Sequence, residues 1–237
     1  GSGKRGGSGI LGKTIEILTS TIKKAIGGRS TGEKSYHTGG AGISSYGGLT
    51  IQGGTTVQAV GGDADSGTGG SGKSGGAGIA SSGTISISNG KIEQAAGGRA
   101  TGEDGTGGSG IRSNGTLTIR GGEIQQTAGG RATGEDGTGG SGIRSDGTVK
   151  IWGGTIKEAT GGSGKSGGDG IGSYGDLTIS VSAKIRTAQG GASTNGTGGD
   201  GISSGGILTI EGSANIGTAQ GGASTNGTAR RSAILHW

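Results

Sequence analysis

The chain has 237 residues, 68 of them glycine, and lacks proline, cysteine, methionine and phenylalanine. Apolar residues make up 26 %, too few for the broad core of an enzyme this long, and the missing cysteines exclude disulfides and thiol catalysis. The net charge of +5 fits a need for solubility or an attraction to acidic polymers; no apolar run of about eighteen residues offers a membrane span.

The first apolar group, Leu11, Ile15, Leu18, Ile22 and Ile26, has the spacing of an amphipathic helix. The same residues also align with a repeat that fills the rest of the chain. Ile15-Glu16-Ile17 matches Leu117-Thr118-Ile119, so a first coil is favoured over a capping helix. The stretch GGRATGEDGTGGSGIRS occurs unchanged at Gly97–Ser113 and Gly129–Ser145. In chain order each unit holds a Gly-Ile step (Ile10, Ile43, Ile79, Ile111, Ile143, Ile171, Ile202). An alternating triplet follows (Ile15/Ile17, Leu49/Ile51, Ile85/Ile87, Leu117/Ile119, Val149/Ile151, Leu177/Ile179, Leu208/Ile210). A lone β-branched residue comes third (Ile22, Val57, Ile92, Ile124, Ile156, Ile185, Ile216), and a Gly-Gly pair then opens a Gly/Ser/Thr loop.

Period-two alternation of β-branched residues predicts short strands with the Ile and Leu side chains turned inward. One unit cannot bury these side chains alone, whereas stacked units bury them on one another. The expected fold is all-β: a parallel β-helix of about seven coils of roughly 32 residues, with a glycine-rich loop projecting from each. The expected organisation is a Gly-rich tail over 1–8, one β-solenoid domain over 9–228, and a partial eighth coil or docking tail over 229–237. Glycine pairs between strands are expected to supply positive φ at corners.

Gly67–Ser74 reads GTGGSGKS and fits the phosphate-loop pattern G-x-x-x-x-G-K-[ST]. That chemistry needs a buried strand before the loop and a helix after it. Here loops precede it and the strand signal at Ile79 follows, and Ala159–Ser166 carries a near twin. It is therefore read as a repeat loop, with no nucleotide partner.

Stacked carboxylates at Glu103, Asp104, Glu135, Asp136, Asp169 and Asp200 are candidate calcium ligands, with Arg99 and Arg131 placed to neutralise the loop pairs instead. No cofactor other than calcium is suggested by these residues. Tyr46, Trp152 and Tyr174 are candidate sugar-stacking residues. The outward row Glu16, Thr50, Ser86, Thr118, Lys150, Thr178 and Thr209 is rich in hydroxyls, which raises ice binding as a minor alternative. Asn-Gly-Thr at Asn114, Asn195 and Asn226 matches a glycosylation acceptor, or simply a turn. No gathered set of catalytic residues emerges, so a non-enzymatic role is expected. Ile10 and Leu11 at one end, and Ile234, Leu235 and Trp237 at the other, are candidates for end-to-end self-association into a fibre or surface assembly.

GGDGIGSYGDLTI (Gly167–Ile179) and GGDGISSGGILTIEG (Gly198–Gly212) resemble the Gly-Asp-Gly-Ile-x-Ser-x-Gly-x-Leu-Thr-Ile repeats of secreted bacterial β-helix proteins, some of them described as carbohydrate-binding domain proteins. The resemblance implies a right-handed parallel β-helix, a secreted or cell-surface location, and affinity for polysaccharide, sometimes with calcium. Only Asp169 and Asp200 keep that group's acidic residue. Two roles follow as expectations: a self-assembling extracellular structural protein, and a carbohydrate-binding or adhesive module.

Overall fold

The computed structural model describes residues 5–32, 37–65, 73–226 and 234–236. Most of GTGGSGKS (67–72), together with Trp237, lies outside these residues. Every described element is a strand, and no helix is long and apolar enough to cross a membrane.

The three strand signals of each unit become three parallel sheets. The Gly-Ile steps form strands Ile10–Gly12, Ile43–Ser45, Ile79–Ser81, Ile111–Ser113, Ile143–Ser145, Ile171–Ser173, Ile202–Ser204 and Ile234–His236, stacked in that order as the first sheet. The triplets form the central sheet, from Ile15–Ile17 to Leu208–Ile210, with seven strands. Register is residue for residue: Ile79 pairs with Ile43 and Ile111, and Leu117 with Ile85 and Val149. Aliphatic side chains therefore sit in columns, and the core is a stack of Ile, Leu and Val rows. Leu11–Ile26 forms strands rather than a helix, because these residues pair with the next coil.

The third sheet differs from its sequence signal. The lone β-branched residue is the second of a six-residue strand, as in Lys91–Ala96, Glu123–Ala128 and Thr155–Thr160. Two positions face inward, the second and the fifth, so the strand breaks period two midway. The fifth is small and fully buried (Ala59, Ala95, Thr127, Ala159, Ala188). Val57 is also not the inward residue of its coil. Thr56 is, paired with Ile22 and Ile92, and its buried hydroxyl has no hydrogen-bond partner. Thr56→Val keeps the shape and removes the unpaired polar atom. It is expected to raise stability by about 1 kcal/mol, seen as a higher Tm in thermal unfolding. An unchanged or lower Tm contradicts this.

The glycine pairs between the central and third sheets supply positive φ at corners as expected, at Gly54, Gly122 and Gly154; Gly102, Gly212 and one β-branched residue, Val181 (φ 59°), also adopt it, whereas the pairs that open the loops do not. The Gly-Gly pairs that open the loops have another role. Each loop leaves the coil on one extended arm and returns on another, and the arms interlock. Gly130 N–H donates to Gly108 O at 2.7 Å, and Gly108 N–H donates to Gly98 O at 2.9 Å. The same alternation runs unbroken from Gly222 through Gly199, Gly191, Gly168, Gly162, Gly140, Gly130, Gly108, Gly98, Gly76, Gly62, Gly40 and Gly28 to Gly7. A Cβ on Gly97, Gly129 or Gly161 would lie far inside contact distance of the backbone carbonyl on the opposite arm. Side chains are excluded because two backbones share the space. The loops thus extend the stack, bridged coil to coil at Ala64–Ala100–Ala132 and at Ser74–Thr106–Thr138–Ser166. Arg5–Gly7, expected as tail, is the first returning arm: Gly6 N–H donates to Thr38 O, and Gly7 O accepts from Gly28.

The serine of Gly-Ile-x-Ser is a buried clamp. Ser81, Ser113, Ser145, Ser173 and Ser204 each donate to a glycine carbonyl of the preceding coil, Gly47, Gly83, Gly115, Gly147 and Gly175 in turn. This hydroxyl satisfies the corner where the first sheet turns into the central one.

Candidate functional site

The residue between Ile and Ser in each first-sheet strand points outward, giving the row Leu11, Ser44, Ala80, Arg112, Arg144, Gly172 and Ser203. The returning glycine arms flank this row on one side. The residues just after the serine clamp, among them Tyr46, Asn114, Asp146 and Tyr174, flank it on the other. A groove parallel to the stacking axis results. Its broad end, about 650 Å³, is lined by Arg5, Leu11, Ser44, Tyr46 and Arg112. Arg112 and Arg144 border a narrow middle of about 60 Å³. Beyond them is a cavity of about 250 Å³ lined by Thr138, Arg144, Asp169, Gly172, Tyr174 and Ser203.

The chemistry concentrates in that last cavity. Tyr174 is 64 % exposed, and the Arg144 guanidinium lies 4.4 Å from its ring centroid, with Nη2 donating to the phenol oxygen at 2.5 Å. Arg144 Nε also donates to Asp146 Oδ1 at 3.1 Å, while Arg112 Nη2 takes Asp146 Oδ2 at 3.0 Å. Partial burial pushes the Asp146 carboxyl up, but Arg112 and Arg144 outweigh it and hold the group below the usual carboxylate range. Asp169 behaves in the opposite way. Burial raises its carboxyl above the ordinary value, against the opposing pull of the Asp200 N–H on Oδ1 (2.9 Å), of Arg144 and of Ser203. Gly172 opens the space above it, since a Cβ there would meet Asp169 Oδ2 at 3.0 Å.

The other sequence candidates are dispersed. Trp152 points outward on the central face as expected, but its ring already carries two cations, Arg120 at 4.8 Å and Lys150 at 5.4 Å. Tyr46, 65 % exposed, lines the broad end of the groove. Glu103, Asp104, Glu135 and Asp136 are exposed on successive loops, and the cation on Asp136 is Lys165 rather than Arg131. No group of three or more His, Cys, Asp or Glu among the described residues is placed to hold a metal ion. Ile10 is half-buried against the core, while Leu11 faces sideways into the groove rather than along the axis. Ile234 and Leu235 lie in a strand on Ile202–Ser204. Lys73 of GTGGSGKS is buried, with Nζ donating to Gly32 O at 3.1 Å, and burial lowers its pKa. Its twin Lys165 is paired with Asp136, and both stretches lead into first-sheet strands rather than helices.

Arg144, Gly172 and Ser203 escaped notice in the sequence. The available signal was position: Gly172 is the one glycine in the outward row from Leu11 to Ser203, so it marks a gap in an otherwise filled column. No family model, no curated protein and no solved structure matches this chain.

Proposed function

We propose that this chain is a non-enzymatic carbohydrate-binding β-solenoid of the cell exterior, which takes a polysaccharide along the first-sheet groove. One observation carries the reading. A single cavity gathers an exposed tyrosine ring, a guanidinium, a half-buried carboxylate and a serine, on or directly beside strands held in register. An aromatic face for the apolar side of a sugar, with fixed donors and acceptors for its hydroxyls, is the pattern such ligands need. The groove is also parallel to the stack, which suits a linear polymer. A glycan array probed with the purified chain, with and without chelator, tests this. Binding to a linear glycan that survives chelation is expected; an array with no bound glycan contradicts it.

A second reading, end-to-end self-association, rests on a different observation. Inward residues that are buried in interior coils are half-buried or exposed in Leu208–Ile210 and Asn215–Gln220, with Ile210 44 % exposed. A second copy stacked on this coil would continue the apolar columns. Electron microscopy at rising concentration checks it: filaments are expected, and strictly monomeric particles overturn it.

A further inference from the structure

We propose that the Gly172 cavity selects an uncharged sugar residue, bound through hydroxyls that donate to Asp169, and discriminates against uronic acids. This rests on the carbohydrate reading above and adds the class of sugar.

The charge balance around the cavity leads to it. Among the described residues Arg144 is the cation that lines the space, and it is already engaged by Asp146 and by the Tyr174 hydroxyl. Arg112, its neighbour, is spent on the same Asp146. Against these stands Asp169, whose carboxylate lines the cavity, with Asp200 one coil further along the same column. A ligand carboxylate would enter beside a half-buried carboxylate with no uncommitted cation among the described residues to offset it, which is costly in a partly desolvated site. A sugar hydroxyl meets the opposite situation. Asp169 Oδ1 already accepts the Asp200 N–H and the Ser203 hydroxyl also donates to this carboxylate, while Oδ2, which faces the space left by Gly172, keeps acceptor capacity for a further hydroxyl. Charge-assisted hydrogen bonds from hydroxyls to a carboxylate are among the stronger polar contacts. Gly172 is therefore the specificity-determining position: any side chain there comes between the sugar and Oδ2. The volume of about 250 Å³ suits one ring, with the rest of the chain lying along Arg112 and Tyr46.

The test is calorimetric titration of the full chain at pH 7 with cellohexaose, mannohexaose, xylohexaose and hexagalacturonate. At least one neutral oligosaccharide is expected to bind roughly tenfold or more tightly than hexagalacturonate. Asp169→Asn should weaken neutral binding by about tenfold and narrow the gap to the uronate. Gly172→Ser should weaken neutral binding with the circular dichroism spectrum unchanged. If Asp169→Asn does not fold, the Gly172→Ser result decides alone. Hexagalacturonate binding as tightly as the neutral series overturns the charge argument and leaves the carbohydrate reading standing. Neutral binding indifferent to both substitutions places the sugar elsewhere and overturns the assignment of this cavity. No binding by any of the four, together with an empty glycan array, removes the carbohydrate reading itself.

Discussion

Gly130→Ala is expected to destabilise the chain by about 3 kcal/mol or more, lowering Tm by roughly 10 °C, whereas Gly7→Ala should change stability by less than about 0.5 kcal/mol. Both glycines belong to the interlocked loop arms, and the difference is geometric. A Cβ on Gly130 would collide with the carbonyl of Gly98 on the preceding coil, while a Cβ on Gly7 meets nothing within 4 Å. Neither lies in the left-handed region, so conformational freedom does not distinguish them. Relief of the Gly130 collision requires spreading two arms that are hydrogen-bonded on both sides, since Gly130 donates to Gly108 and accepts from Gly140. In a stack where each coil contacts only its neighbours, that spreading breaks the interface on either side. Thermal unfolding of the two variants side by side is the measurement. Equal Tm values would mean that the arms are loose in solution and the zipper does not hold the loops.

Ser145→Ala is the second large effect, a loss of about 2 kcal/mol, against a negligible change for Ser44→Ala on the outward row. Ser145 is fully buried, and its hydroxyl donates to Gly115 O at 2.5 Å, lies 3.3 Å from Thr148 O and accepts the Gly147 N–H at 3.2 Å. Removing one oxygen leaves partly buried backbone groups on two coils without it, and shielding such groups unpaired is what makes the loss costly. Chemical denaturation of the two variants measures it. A Ser145→Ala midpoint equal to that of the parent would show that water replaces the hydroxyl and that the clamp is not structural.

The fold was legible in the sequence where side chains repeat, and less so where backbones touch. Ile and Leu alternation at Leu117/Ile119 and its equivalents marks inward columns whatever the loops do, because burial in a parallel stack demands the same residue type at the same place. The reason for the glycines was hidden. A glycine needed for a left-handed corner, such as Gly122 (φ 82°), and one needed for close approach, such as Gly129, look alike in sequence. Thr56 was misplaced by one residue because Val57 is the stronger strand former. The register is instead set by the neighbouring Ile22 and Ile92. The candidate site was half visible. Tyr46 and Tyr174 are aromatic and exposed in matching positions, so they could be named. The cavity beside Tyr174 depends on a missing side chain at Gly172 and on how Arg144 divides its donors, which composition and spacing do not reveal.

The central claim is that ligand enters the first-sheet groove at Tyr174, and not the central face at Trp152. Calorimetric titration of the best glycan from the array into the parent chain, Tyr174→Ala and Trp152→Ala tests it directly, with circular dichroism confirming the fold of each. Loss of the stacking ring should weaken binding by about tenfold in Tyr174→Ala, and Trp152→Ala should bind as the parent does. Full affinity in Tyr174→Ala, or a loss confined to Trp152→Ala, would contradict the account.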